Sequence, residues 1–446
     1  MTRQDVREIW ERTQPVRQRL ATWPAKRWFQ MIVATLLTLA HLFAFAHAGK
    51  TRLGIPFDLA PGAHLEFADP NADALGPVPR QPAKWSRLVV SRYDTQHYVS
   101  FALRGLSSCP TDPTQPDVAR GYLNCSLGWL PAYGVVGGLV SDATGLEPDV
   151  ALTLVSVLSA IMLNFLWLCP TMVSRIGRFE TYALVIAWNC YPGAWSLVAP
   201  VTESLTLVIG IGAFIMLCKQ RWWWASFLVG ASTAFRIPTA GFAFAMGCAL
   251  LLAAYEQRKV GAKRWWMPIL AASLCGWGQF LEMAVFQWKL HNWHAFFDAR
   301  FAFGDKSRWD RLIDVTYYLR GFQSQCGDMI VFMSVITMTV LGARRALAGF
   351  KRVEGLFLII SSVFTVVVSI MGASQYWGIT RYMMLCPLAF MSAANVAKRH
   401  RVLFVMWLLF CVSIYWHFEL CNYVTQGDRA ACPVLGRMEL SMPWKS

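Results

Sequence analysis

Residues 222–255 read WWWASFLVGASTAFRIPTAGFAFAMGCALLLAAY, an apolar run of 34 positions whose one charge is Arg236, beside Ile237-Pro238. As a single helix it would measure roughly 50 Å, against a hydrocarbon core of about 30 Å. Proline lacks the N–H a helix needs and biases the residue before it away from helical geometry. The run is therefore expected to fold as a tight hairpin of two short spans that turns at Arg236-Ile237-Pro238. That reading sets the parity of every segment around it.

Other apolar runs of near-spanning length fall at 28–48, 148–173, 181–199, 201–218, 265–287, 328–343, 355–373, 380–397 and 402–420, which with the hairpin makes about eleven spans. Charge provides an independent check. From a cytoplasmic N-terminus, Arg175/Arg178, Lys219/Arg221, Arg258/Lys259/Lys263/Arg264, Arg344/Arg345/Lys351/Arg352 and Lys398/Arg399/Arg401 all fall on the cytoplasmic side, as the positive-inside rule requires. The chain then divides into a cytoplasmic segment 1–27, a first span 28–48, an outer segment 49–147, spans over 148–287, an outer loop 288–327, spans over 328–420 and an outer tail 421–446.

Composition agrees with lipid as the solvent. Of 446 residues 56% are hydrophobic and 15% charged, with mean hydropathy +0.39 and 21 Trp, far from the usual makeup of a soluble domain. The net charge of +15 is scattered in short clusters between apolar runs, so it marks topology and argues against a nucleic-acid partner. Expected is an all-α polytopic membrane protein with membrane lipid around it.

The first span ends in Ala46-His47-Ala48, which looks like a signal-peptidase site. The residues before it, however, are long and mixed in charge, with seven Lys/Arg against Asp5, Glu8 and Glu11, which favours an uncleaved anchor. Of twelve Cys most lie inside spans; Cys109/Cys125 and Cys421/Cys432 lie outside, where an oxidising compartment would let each pair bridge and a reducing one would leave free thiols.

In the outer segment an irregular Pro/Gly/Asp-rich stretch, 54–82, precedes WSRLVVSRYDTQHYVSFALRGL (85–106), which reads as a helix lying on the membrane surface. At 100° per residue Asp94, His97, Tyr98, Phe101 and Arg104 share one face while Val99 and Leu103 point the other way. Glu203 sits where two spans meet outside, as a helix cap or a working acid. Arg236 lies at an outer turn against the sidedness rule, and Arg381-Tyr382 opens a later span on the same side. Three further parts of the chain thus bring polar groups to the same outer surface as Asp94.

The order YDTQHYVSFALRGL (93–106), CSLGWLPAYG (125–134), NCYPGAWSLVAPVTESL (189–205), RWWWASFLVGASTAFRIPTAG (221–241) and RYMMLCPLAF (381–390) resembles the GPI mannosyltransferase 2 (PIG-V-like) family. These are membrane glycosyltransferases of the GT-C class, and the motifs sit closer to the family's bacterial branch. The chain departs from the family pattern at Tyr93, where Trp is usual, at Gly128-Trp129-Leu130-Pro131 and at Arg236-Ile237-Pro238. The resemblance implies a GT-C-like bundle in a bacterial inner membrane, or the ER membrane if eukaryotic. Its large first extracytoplasmic loop would carry interfacial helices, and the active site would face outward.

It also implies an inverting transfer of a hexose, mannose by family habit, from a polyprenyl- or dolichyl-phosphate donor to a hydroxyl of a glycolipid or glycan acceptor. Asp94 matches the family's acid and is the expected general base; an aspartate with a reference pKa near 3.9 is ionised at neutral pH. Arg236, Arg381 and, behind them, Arg104 are expected to meet the lipid phosphate, since guanidinium forks onto phosphate. Glu203, His97, Tyr382 and Trp129 complete the substrate-binding set, with Trp129 and Tyr133 either stacking on sugar or anchoring at the interface.

The loop 288–327 would cover the site as an acceptor-binding loop. No cofactor and no metal are expected: His291 and His294 share a helix face but lack a third ligand, and no Gly-rich phosphate loop appears. Two rivals remain at this level, a polytopic lipid or glycan transporter or flippase, and a non-catalytic assembly subunit.

Overall fold

A computed structural model of the chain describes residues 27–53, 64–65, 81–82, 94–108, 128–302, 309–324, 326–372 and 377–420. The Cys109/Cys125 and Cys421/Cys432 pairs, the N-terminal segment 1–26, most of the 54–82 stretch and the first half of the expected 85–106 helix lie outside the described residues. Apart from one two-residue antiparallel pairing, His64–Leu65 with Gln81–Pro82, every regular element among the described residues is helical.

In chain order these are α1 (Arg27–Leu53), α2 (Thr95–Arg104), α3 (Ala132–Thr144), α4 (Pro148–Trp167), α5 (Pro170–Ile176) and α6 (Arg178–Cys190). Then follow α7 (Glu203–Cys218), α8 (Trp222–Ser232), α9 (Ala240–Lys259), α10 (Met267–Ala272), α11 (Trp277–Leu290) and α12 (Ala295–Ala302). The chain closes with α13 (Val315–Ser324), α14 (Cys326–Ala346), α15 (Arg352–Gly372), α16 (Trp377–Met383), α17 (Pro387–Arg399) and α18 (Arg401–Ile414).

Six stretches are long and apolar enough to cross a bilayer: Arg27–Thr51, Pro148–Trp167, Ile237–Lys259, Met267–Leu290, Cys326–Gly349 and Arg352–Met371. The architecture fits an all-α, multi-pass membrane protein. Leu139, Phe280, Val340, Leu341 and Leu409 each leave between 64% and 74% of their surface uncovered, an outward apolar skin suited to lipid. Inside lies a large core around Trp167, Trp188, Trp195, Tyr191 and Phe390, where α14 and α17 meet and α6 packs on α17.

The 222–255 run breaks at Arg236, and of its two arms Ile237–Lys259 has spanning length while Trp222–Ser232 is 11 residues long. Helix α8 stops at Ser232, Arg236 is extended (φ −161°, ψ 135°) and a short 3₁₀ turn Ile237–Thr239 leads into α9. Thr239 Oγ1 donates to the Ser232 carbonyl freed at the end of α8 at 2.9 Å, and Thr233 Oγ1 accepts from the Gln279 amide at the head of α11 at 2.9 Å. Such substitution is what permits non-helical backbone at membrane depth.

Three other expected spans are also broken at a proline. The 148–173 run ends its helix at Trp167 and restarts at Pro170; 181–199 passes from α6 into a 3₁₀ turn Pro192–Leu197; 380–397 splits into α16 and α17 at Pro387. Proline at the start of each new piece is the common cause. The 265–287 run also divides, into α10 and α11 around Ser273–Gly276, with no proline at the restart. Helix α1 runs unbroken through Ala46-His47-Ala48 to Leu53, with Phe45 and Ala48 buried.

Helix α2 corrects the surface-helix expectation. Tyr98, Val99, Ser100 and Phe101 are all buried, so α2 is clasped on both sides rather than floating on one apolar face. Gly134 of α3 explains the closeness: a Cβ there would lie 2.6 Å from the Tyr98 carbonyl. Small residues at helix contacts do what area burial cannot do in lipid, letting backbones approach for dispersion contact.

Candidate functional site

The helix breaks converge. Asp94 immediately precedes α2, Glu203 opens α7 after the 3₁₀ turn, Arg236 occupies the turn between α8 and α9, and Arg381 lies in α16. Glu203 Oε1 receives both arginines, Arg236 through Nη1 and Arg381 through Nε. Arg381 Nη1 also donates to Asp94 Oδ2 at 2.6 Å. The side chains of Glu203, the two arginines and Asp94 are 0%, 9%, 9% and 27% exposed, so the ionic cluster is buried at its base and open at Asp94.

Each member is held from behind. The Arg236 guanidinium lies 4.8 Å from the Tyr382 ring centroid and that of Arg381 lies 5.7 Å from the ring of Trp195, distances at which a cation is attracted to the ring face. Thr95 Oγ1 donates to the Pro200 carbonyl at 3.2 Å, tying the head of α2 to the turn that presents Glu203. Neither Asp94 nor Thr202, the residues at the heads of α2 and α7, makes a side-chain capping bond. Asp94 and Glu203 are thus turned to the arginines, not to their own helix ends.

Above the cluster opens a small, partly enclosed cleft. Asp94, Arg236, Arg381, Tyr382, Tyr98 and Trp129 line it. Burial, with the Asp94 charge nearby, raises the Tyr98 phenol above its usual pKa, so it faces the cleft as a neutral hydroxyl. His97 is half-buried and stacks on Trp129, ring centroids 3.4 Å apart and 10° between planes.

Tyr133 is neither a sugar platform nor an interfacial anchor. It is fully buried, its hydroxyl donating to the Leu152 carbonyl at 3.0 Å and sharing a 2.6 Å bond with Ser156 Oγ. The side chain of Arg104 lies outside the described residues. In the loop 288–327, His291 ends α11 in the left-handed region (φ 54°) and His294 Nδ1 pairs with Asp298 Oδ2 at 3.0 Å. Phe296 of that loop reaches the cleft wall.

A further layer was not visible in sequence. Glu419, buried, accepts from Trp195 Nε1 at 3.3 Å and from Thr380 Oγ1 at 2.6 Å, the residue under Arg381 and the residue before it. Asp328 is also buried, with no hydrogen-bond partner among the described residues on either carboxylate oxygen. Glu282 accepts from the Ala132 amide at 3.3 Å and so caps α3 from α11. These acids sat at span ends, where an isolated acid reads as a boundary marker; only the fold pairs them with the site. No protein-family model, characterised protein sequence or solved structure matches the chain.

Proposed function

We propose that the chain is a polyprenyl-phosphate-sugar-dependent glycosyltransferase, an inverting enzyme of the GT-C kind. In this reading it moves a hexose, mannose in the family it resembles, onto a hydroxyl of a glycolipid or glycan. The observation that carries the reading is the meeting of Asp94, Glu203, Arg236 and Arg381 at one cleft. A carboxylate beside two guanidiniums suits a reaction that must both take a proton and release a phosphate.

The acceptor oxygen attacks the anomeric carbon as its proton passes to the Asp94 carboxylate. The bond from that carbon to the phosphate oxygen breaks, and its electron pair leaves on the lipid phosphate. Arg381 and Arg236 meet that charge, with Glu203 fixing their positions. Attack opposite the leaving group inverts the centre. About eleven spans, with the cleft on the extracytoplasmic face of a bacterial inner membrane, belong to the same proposal and rest on the charge pattern of the loops.

The test offers purified protein a panel of polyprenyl-phosphate sugars and follows lipid-phosphate release. Turnover of one donor by wild type, with Asp94→Asn lowering kcat by roughly a hundredfold or more, supports the reading. No turnover of any donor, or full activity in Asp94→Asn, overturns it. A lipid or glycan transporter is the second reading, favoured by the buried Asp328 and Glu419 carboxyls; ionisable groups inside helical bundles often mark ion pathways.

A further inference from the structure

We propose that the Asp94 carboxylate occupies the place on Arg381 that a phosphate takes, and that an arriving phosphate displaces it and thereby frees it to act as base. The inference rests on the glycosyltransfer reading for what the freed carboxylate does. The anion subsite itself stands on geometry.

Charge balance comes first. Asp94 and Glu203 carry two negative charges and Arg236 and Arg381 two positive ones, and all four are joined through three ion pairs. Among the described residues the cluster is neutral, so a bound phosphate needs a carboxylate to withdraw. Burial decides which one. Glu203 is fully enclosed and holds both arginines, whereas Asp94 is 27% exposed, holds Arg381 through one oxygen and lines the cleft.

The fork geometry points the same way. Arg381 gives its Nε edge to Glu203 and an Nη1 donor to Asp94, so replacing Asp94 leaves its anchor intact. Phosphate offers more acceptor oxygens than a carboxylate and suits the planar guanidinium. The exchange also resolves a geometric conflict in the mechanism. An inverting base and the leaving phosphate belong on opposite sides of the anomeric carbon, which a base still held on Arg381 cannot satisfy. Displacement makes the base available only once the leaving group is seated.

The test measures equilibrium binding of a long-chain polyprenyl phosphate in mixed micelles, and of inorganic phosphate, to wild type, Asp94→Asn, Asp94→Ala and Arg381→Gln. Removing the internal competitor is expected to tighten polyprenyl-phosphate binding roughly five- to tenfold in both Asp94 variants, while Arg381→Gln loses it. Tightening for both probes assigns the subsite to phosphate as such, and tightening for the lipid alone assigns it to a headgroup. Unchanged or weaker binding in either folded Asp94 variant overturns the proposal; two substitutions at a part-exposed position guard against one failing to fold. Tighter binding in variants of a protein that turns over no donor keeps the subsite and removes the glycosyltransfer reading. Transfer without tightening does the reverse.

Discussion

Glu203 is the residue on which the site turns. A glutamate at the first position of a helix favours the positive end of the helix dipole, and that alone accounts for an acid there. Its full burial and its two arginine partners do not follow from capping. Removing one partner from a buried ionic cluster costs about 3 kcal/mol or more, because the remaining charges stay desolvated. Glu203→Gln is accordingly expected to lower the unfolding temperature and abolish transfer together, by thermal unfolding and donor turnover. Glu419 behaves differently. It touches no cleft surface but holds Trp195 and Thr380, so Glu419→Gln should lower kcat roughly tenfold or more by letting Arg381 shift while KM for acceptor stays near wild type. Steady-state kinetics with an unchanged kcat would remove the positioning role.

At the scale of elements, the site is made of helix interruptions. Proline marks most of them in sequence, and Arg236-Ile237-Pro238 was legible as a turn for that reason. What proline does not reveal is which interruptions face one another. Gly193, in the 3₁₀ turn after α6, shows the contact that matters: a Cβ there would stand 2.7 Å from the Thr380 carbonyl and 3.0 Å from Arg381 Cα. Both are backbone atoms, with no flexible side chain to yield. Gly193→Ala is therefore expected to displace α16 and cut donor turnover about tenfold or more with helix content unchanged, as read by circular dichroism beside the activity assay. The amphipathic reading of α2 found the acid and the aromatics but laid the helix on the membrane surface, because periodicity reports which residues share a face and not what covers it.

Across the whole molecule, buried polar groups fasten the first helix to the bundle. His41 shares hydrogen bonds with Tyr415 OH at 3.0 Å and Asn189 Oδ1 at 3.2 Å, and Asn189 Nδ2 donates to Asn164 Oδ1 at 2.8 Å. Interhelical bonds of this kind contribute about 1 kcal/mol each. Asn189→Leu is expected to cost about that for each bond broken, read as a lower midpoint of detergent unfolding. Sidedness also belongs to this scale. With the loops arranged by the positive-inside rule, Asp298→Cys should react with a membrane-impermeant maleimide in intact cells and Gly261→Cys should not. Reversed labelling would turn the cleft to the cytoplasm and end the lipid-linked donor reading.

Sequence alone determines the solvent, the apolar segments, the places where proline must end a helix, and four charged residues too costly to leave idle at a membrane boundary. Those properties are local, set by composition, backbone chemistry and the expense of charge near lipid. The tertiary structure decided that the four charges form one neutral cluster, that His97 stacks on Trp129, and that Glu419 and Thr380 steady Arg381. Partners separated by 178 and 287 positions leave no periodicity to read. Their pairing comes from close helix packing at small residues, which exists only once the chain is assembled.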